Sequence, residues 1–261
     1  MSDKPDEKLL LLKNIALEAG KVLMKYFRSD FKIENKEGSE LLTTADKESE
    51  EFIISSIEKK YPGVEIIAEE TKPESNRGKE AFIIDPLDGT NNFSYGIPVF
   101  SISLAYQSED SLEIGVVYDP VHKELFYAEK GQKAFLNDSP ISVSKRNSLS
   151  DSILATGFPY IKKTEKDSNI PEFSSLLMKS RGIRRLGSAA LDLCYVACGR
   201  LDGYWEKGLK IWDLSAGGLI VEQAGGKVTN FSGNKWDYMS DNIIASNGSI
   251  HSEIQKTIKE I

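Results

Sequence analysis

The chain has 261 residues, enough for one large domain or two of ordinary size around a sizeable core. Hydrophobic residues make up 40% and charged residues 28%, as in globular proteins, and the formal net charge is -7. That charge argues against a binder of nucleic-acid backbones, whose affinity rests on clustered Lys and Arg, although an acidic protein still binds a small anion if a metal or backbone amides supply the positive field.

The aliphatic run at residues 9–12 is too short for a membrane span or a signal-peptide core, so a cytoplasmic location is expected. Leu12, Ile15, Ala16, Ala19, Leu23, Tyr26 and Phe27 follow helical spacing and predict an amphipathic first helix. The stretch "LLTTADKESEEFIISSIEKKYPG" passes from extended chain into a second helix, with Asp46 near its start and Tyr61-Pro62-Gly63 at its end. Strands are predicted over 64–68, 81–84, 98–107, 113–118, 124–129 and 133–136, with turn residues such as Asn137-Asp138 between several of them. A Lys/Ser/Asp-rich segment at 160–169 reads as a surface loop. "GSAALDLCYVACGR" reads as a helix with Ser188 at its N-cap and Gly199 just past its end. "DLSAGGLIVEQAGG" reads as another, opening at Asp213, and strands at 227–231 and 242–246 precede a final helix at 250–261. The coarse picture is α+β over residues 1–145 and α/β over 146–261, forming a single catalytic unit. Cys194 and Cys198 read as small buried residues, since no nearby His or further Cys completes a zinc site or a disulfide framework.

Several acidic residues fall at the ends of predicted elements. Glu69 and Glu70 follow "VEIIA", Asp85 and Asp88 follow "AFII", and Asp213 stands at a helix start. Carboxylates so placed can converge at one sheet edge, where they repel one another unless a hard cation holds them. Without Cys or His in reach, Mg²⁺ is the natural ion. Within "DPLDGT", Pro86 fixes its own φ and biases Asp85 toward extended geometry, which leaves the Leu87 carbonyl free as a third oxygen donor. Gly89 permits close approach of a ligand, and a helical turn starting at Thr90 would aim backbone amides at an anion. Alone, the hexapeptide is equally a turn that satisfies its own backbone.

In this order, "AEET", "DPLDGT" and "WDLSAGGLIVEQAGG", with eleven residues between Asp213 and Gly225, resemble the inositol monophosphatase family of magnesium-dependent, lithium-sensitive sugar phosphatases. "LTTAD" and "GSAALDLCYVACGRLDGYWEKG" extend the similarity over roughly residues 40–230. The resemblance implies a layered α/β/α/β/α sandwich of the inositol monophosphatase and fructose-1,6-bisphosphatase type. It implies that Glu69, Asp85 and the Leu87 carbonyl hold one Mg²⁺, that Asp85, Asp88 and Asp213 hold a second, and that a third sits near Glu69 and, through water, Asp46. Thr90 and Asp46 would orient the attacking water, with Glu69 also in the catalytic set and Glu70 at most a supporting residue. Asp88, Gly89, Thr90, Gly187, Ser188, Ala189, Glu206 and Asp213 would contact substrate. Lys210 would face the phosphate, the polyol or solvent.

The substrate implied is a small phosphorylated polyol, myo-inositol monophosphate first, with fructose 1,6-bisphosphate, histidinol phosphate and 3'-phosphoadenosine 5'-phosphate as alternatives. A homodimer is expected, with no nucleic-acid or membrane partner. Some bacterial members of the family are linked to transcription complexes, which leaves a regulatory binding role as the rival. His122 and His251 lie outside the motifs, and no GxxxxGK[ST] loop occurs, which disfavours a Ser-His-Asp hydrolase and a P-loop ATPase.

Overall fold

A computed structural model describes residues 6–29, 32–35, 41–71, 80–159, 168–237 and 239–260. Helix α1 (Glu7–Tyr26) buries a stripe of Leu9, Leu12, Ile15, Ala16, Ala19 and Leu23, and Asp6 caps it by accepting from the Lys8 amide at 2.6 Å. An antiparallel pair, β1 (Ile33–Asn35) and β2 (Leu41–Thr43), precedes α2 (Thr44–Lys60). Thr43 and Asp46 close a capping box at the start of α2, each side chain accepting from the other's backbone amide.

The first sheet is built from β3 (Glu65–Ala68), β4 (Ala81–Asp88), β5 (Ser101–Ser108), β6 (Ser111–Asp119), β7 (Glu124–Glu129), β8 (Ala134–Leu136) and β9 (Ser139–Pro140), paired in that order. All neighbours are antiparallel except β3 and β4. A short helix, α3 (Thr90–Ser94), lies between β4 and β5. The second sheet comprises β10 (Ile153–Thr156), β11 (Gly182–Arg184), β12 (Gly203–Lys207), β13 (Lys227–Thr229) and β14 (Asn242–Ser246), in the order β11-β10-β12-β14-β13. It is mixed: β10 runs parallel to β11 and β12, whereas β14 is antiparallel to β12 and β13. The remaining helices are α4 (Ile170–Lys179), α5 (Ala189–Ala197), α6 (Ile211–Gln223) and α7 (His251–Lys259).

The period of two along the strands stacks these elements into layers. In β4, Phe82 and Ile84 join the core beneath α1 and α2, while Ala81 and Ile83 face the opposite core, which contains α5 and α6. In the second sheet Tyr204 and Ala245 face α5 and α6, while Trp205 and Ile244 pack with α4 and α7. Helices α5 and α6 lie between two sheets and are apolar nearly all round, as a helix buried on every side must be. The result is the expected α/β/α/β/α sandwich.

Local detail departs from the sequence reading in several places. β4 does not stop at Ile84 but continues through Asp88, with a register shift against β5 between Asp85 and Asp88. Helix α6 starts at Ile211, two positions before Asp213. The strand expected from residue 98 begins at Ser101, and α4, β10, β11 and β12 were not anticipated. Of the segment read as a surface loop, residues 160–167 lie outside the described residues. Ser168 and Asn169 are buried, because Asn169 donates to Thr156 Oγ1 and the Gly157 carbonyl, both at 2.7 Å, and accepts from Trp205 Nε1 at 3.1 Å.

The first sheet and the central helices approach closely where β6 meets α6. A Cβ at Gly115 would stand 2.7 Å from the Ala216 carbonyl oxygen, and backbone on both sides leaves no flexible neighbour to yield. Gly115→Ala should therefore lower unfolding stability by about 1–3 kcal/mol, the usual result of overpacking a close contact, as read from the midpoint of a urea melt.

Candidate functional site

The end of β4 carries the site. Ser49 Oγ on α2 donates to the Pro86 carbonyl at 3.1 Å, and the Leu87 amide donates to Asp85 Oδ1 at 3.0 Å. Pro86 has no N–H for the ladder, which accounts for the break in pairing between Asp85 and Asp88. Gly89 follows at φ +97°, a left-handed conformation open to glycine, and a Cβ there would stand 3.0 Å from the Val99 carbonyl. This turn releases the chain into α3 at Thr90. Thr90 Oγ1 lies 3.0 Å from both Asp46 Oδ1 and the Leu87 carbonyl oxygen, so its single proton serves one or the other. The other Asp46 oxygen accepts from the Thr43 amide at 2.8 Å and from the Thr43 hydroxyl, which fixes the carboxylate in place.

Two helix starts complete the constellation. Asp88 accepts from Ser188 Oγ at 2.5 Å and from the Ala189 and Ala190 amides at 3.2 and 2.8 Å, at the N-terminus of α5. Asp213, in the first turn of α6, accepts from the Lys210 amide at 2.7 Å, while Ser103 Oγ on β5 donates to the Trp212 carbonyl at 3.2 Å and ties that helix start to the first sheet. One carboxylate oxygen from each of Asp85, Asp88 and Asp213 lies within 4.8 Å of the other two.

Burial pushes the Asp85 carboxyl well above the usual carboxylate range, and Glu69, Asp88 and Asp213 push it the same way, while the Leu87 amide offsets part of the effect. Burial also raises Asp88, against the pull of its donors from Ser188, Ala190, Ala189 and Ser101. Three hard oxygen donors so close together, in protein of low polarizability, fit a small divalent cation such as Mg²⁺ and poorly suit any softer ion.

A cleft of about 310 Å³ opens over this group, within the range of small-molecule sites. Glu69, Asp85, Leu87, Asp88, Gly89, Thr90, Gly187, Ser188, Ala189, Glu206, Lys210 and Asp213 all line it, so the structure brings together every anticipated site residue except Asp46, which stands behind Thr90. Glu206 is buried and its Oε2 accepts from the Tyr204 hydroxyl; burial is the main cause that lifts its carboxyl to about 7. Glu70 is turned away into a separate groove beside Glu50, which accepts from the Glu70 amide at 2.9 Å. Trp205 is wholly buried, whereas Trp212 is both core and cleft wall. His251 sits between Thr229 Oγ1 and Ser246 Oγ, and His122 pairs with Asp119, both away from the cleft.

The sequence reading missed the cleft residues Asp192, Arg185, Gly157, Phe158 and Pro159. Asp192 had a signal, a lone acid inside the otherwise apolar run of "SAALDLCYVA". Residues 157–159 had none, since their place depends on how β10 sits beside β12.

The inositol monophosphatase family matches residues 5–261, and the chain belongs to that family. It is 43% identical over 247 residues to the Nus factor SuhB of Haemophilus influenzae, covering 94% of this chain and 92% of that protein. It is 42% identical over 226 residues to the inositol-1-monophosphatase of a Synechocystis species, covering 86% and 79%. Its structure superposes on the extragenic suppressor protein suhB of Bartonella henselae with a TM-score of 0.92 and 36% identity, covering 98% and 99% of the two chains.

The electrostatics make two linked expectations measurable. An Asp85 whose folded pKa stands above its unfolded value near 3.9 holds a proton that the unfolded chain releases, so metal-free protein should lose stability as pH rises from about 4 through that raised pKa. Glu206 adds the same sign between 4.5 and about 7. Added Mg²⁺ should then raise Tm at pH 7.5, and raise it less as pH falls. Asp85→Asn should stabilise the metal-free protein and remove the Mg²⁺ response in a thermal melt; a full response in that variant would contradict the assignment.

Proposed function

We propose that the protein is a Mg²⁺-dependent phosphomonoesterase that hydrolyses myo-inositol monophosphate to inositol and phosphate. The observation that carries this reading is the meeting of Asp85, Asp88 and Asp213 under a cleft whose wall includes the Thr90 hydroxyl, itself bonded to buried Asp46. Family membership supports the phosphatase class, and the name of the Synechocystis relative supports the substrate.

Glu69, Asp85 and the Leu87 carbonyl would hold one Mg²⁺ and Asp85, Asp88 and Asp213 a second, with a third, weaker ion near Glu69. Bound there, the ions supply positive charge to the phosphoryl and leaving-group oxygens and acidify a water. The chain's own groups do the positioning. When the Thr90 hydroxyl donates its hydrogen bond to Asp46, its oxygen keeps lone pairs to accept a hydrogen bond from the attacking water, aiming the water oxygen at phosphorus. Asp46 holds Thr90 in that rotamer because the Thr43 amide and hydroxyl anchor its second oxygen. The water oxygen bonds to phosphorus as the bond from phosphorus to the inositol oxygen breaks, and the inositol oxygen leaves with the proton that the water gives up, so that one water is consumed for each inositol and phosphate released. Gly187, Ser188 and Ala189 form one wall beside the substrate, Glu206 accepts from its ring hydroxyls, and Lys210 stands at the rim. The α+β half at 1–145 and the α/β half at 146–261 act as one catalytic unit. A homodimer in the cytoplasm, inhibited by Li⁺, completes the reading; the two free cysteines accord with a reducing compartment.

The second reading is a regulatory binding role, favoured by the relatives named Nus factor SuhB. The two separate cleanly. Capture of a protein partner that persists in Asp85→Asn, in a chain without phosphatase activity, would favour the binding role.

Phosphate release should be fastest from inositol 1-phosphate in a panel with fructose 1,6-bisphosphate, histidinol phosphate and 3'-phosphoadenosine 5'-phosphate, and should vanish with EDTA. A preference of tenfold or more for the nucleotide, about 1.4 kcal/mol in transition-state binding, would replace the substrate assignment. Thr90→Ala should lower kcat by roughly 10²-fold or more with little change in KM, as loss of a water-positioning group does. A change in KM alone would make Thr90 a binding residue instead.

A further inference from the structure

The carboxyl of Asp192 has no role in the reading above. It comes from the first turn of α5, is 2% exposed, and its Oδ1 has no hydrogen-bond partner, yet it lines the cleft. A buried polar oxygen left without a donor costs about 1–3 kcal/mol, and a fold keeps such a group where a ligand supplies the missing partner. Burial pushes its carboxyl well above the usual carboxylate range, Glu206 and then Asp88 push it the same way, and Arg185 opposes them. Glu206, in the same cleft, already accepts a hydrogen bond from the Tyr204 hydroxyl on one oxygen. The cleft therefore presents two buried carboxyl groups, and Asp192 Oδ1 has acceptor capacity that the protein leaves unused.

A ligand for such a pair must donate. An ammonium group would donate, but it demands ionised carboxylates, and burial holds both carboxyl groups toward their neutral form. Neutral hydroxyls donate to a carboxyl in either form. We propose that Asp192 is a specificity-determining residue that, together with Glu206, accepts hydrogen bonds from neighbouring hydroxyls of a polyol ring, so that the site selects polyol phosphates over phosphomonoesters whose alcohol carries no free hydroxyl. The assignment rests on the cleft being the substrate site proposed above, and it deepens that reading by adding a residue that recognises the alcohol. A buried carboxyl oxygen left without a donor is the reverse of a stabilising choice in the unliganded protein, which is the pattern of a residue retained for binding.

The test uses full-length protein with Mg²⁺ and compares the wild type with Asp192→Leu and Asp192→Asn. The expected result for Asp192→Leu is a fall of tenfold or more in the ratio of kcat/KM for inositol 1-phosphate to that for p-nitrophenyl phosphate, with Tm equal to or above the wild type. Titration calorimetry with free myo-inositol in the presence of inorganic phosphate should show binding weakened by a similar factor in Asp192→Leu. An unchanged ratio together with unchanged inositol binding overturns the assignment. So does a lowered Tm in both variants with equal losses on both substrates, which is the signature of a structural role. A larger loss on histidinol phosphate than on inositol 1-phosphate would replace the polyol by an amino alcohol and overturn it too. Weakened inositol binding in Asp192→Leu, with a wild type that hydrolyses nothing, would sustain Asp192 and remove the phosphatase reading instead.

Discussion

The carboxylate of Asp88, carried by the last residue of β4, accepts hydrogen bonds from Ser188 Oγ and from the first amides of α5. This contact links the first sheet to the central helical layer at the point where the chemistry is gathered. Asp88 is buried, and an unpaired charge there would be costly, so the helix start acts as its local counter-field. Asp85 has less help: one backbone amide against three neighbouring carboxylates. The site is thus assembled in a state of electrostatic conflict that the scaffold holds in place and that a divalent ion would relieve.

The layers give that conflict its rigidity. Helices α5 and α6 are clamped between two sheets and can be apolar on nearly every face, so their N-termini are fixed in position by packing rather than by surface contacts. Both N-termini point acids at one place, Asp213 from α6 and, through its amides, the Asp88 anchor from α5. Ser49 to Pro86 and Asp46 to Thr90 do the same from the α2 side, so three helices converge on one six-residue motif. Roles that look separable along the chain are coupled here: Asp46 is a helix cap and the partner of Thr90 at once.

Much of this was legible beforehand, for reasons that can be named. The strands of the first sheet were legible as short runs rich in apolar, β-branched and aromatic residues, buried along most of their length, and their turns carry Gly, Pro or Asn-Asp punctuation. The caps at Thr43 and Ser188 are short-range chemistry and read directly from residue type. What failed to show were β10, β11 and β12, short strands whose residues follow no clean period because the sheet is mixed and covered on both sides, and α4, which begins next to the segment at 160–167. The extension of β4 through Asp88 was hidden by Pro86, which ordinarily ends a strand but here sits at an irregularity in the ladder. Glu70, expected at most to support Glu69, lines a separate groove beside Glu50, a placement that depends on how the turn after β3 meets α2.

The sequence by itself determined the inventory of the site: the oxygen donors and their order, the glycine at the turn, the hydroxyl after it, and the absence of His or Cys that would suit another metal. These are properties of single residues and of spacings within one turn or one strand. Only the tertiary structure decided which acids meet, since Asp88 and Asp213 lie on different elements brought together by the packing of α6 against the first sheet. It also put Glu70 in a separate groove and brought Asp192 and Glu206 into one cleft. Convergence of this kind depends on layer packing between distant segments, and no local period along a chain encodes it.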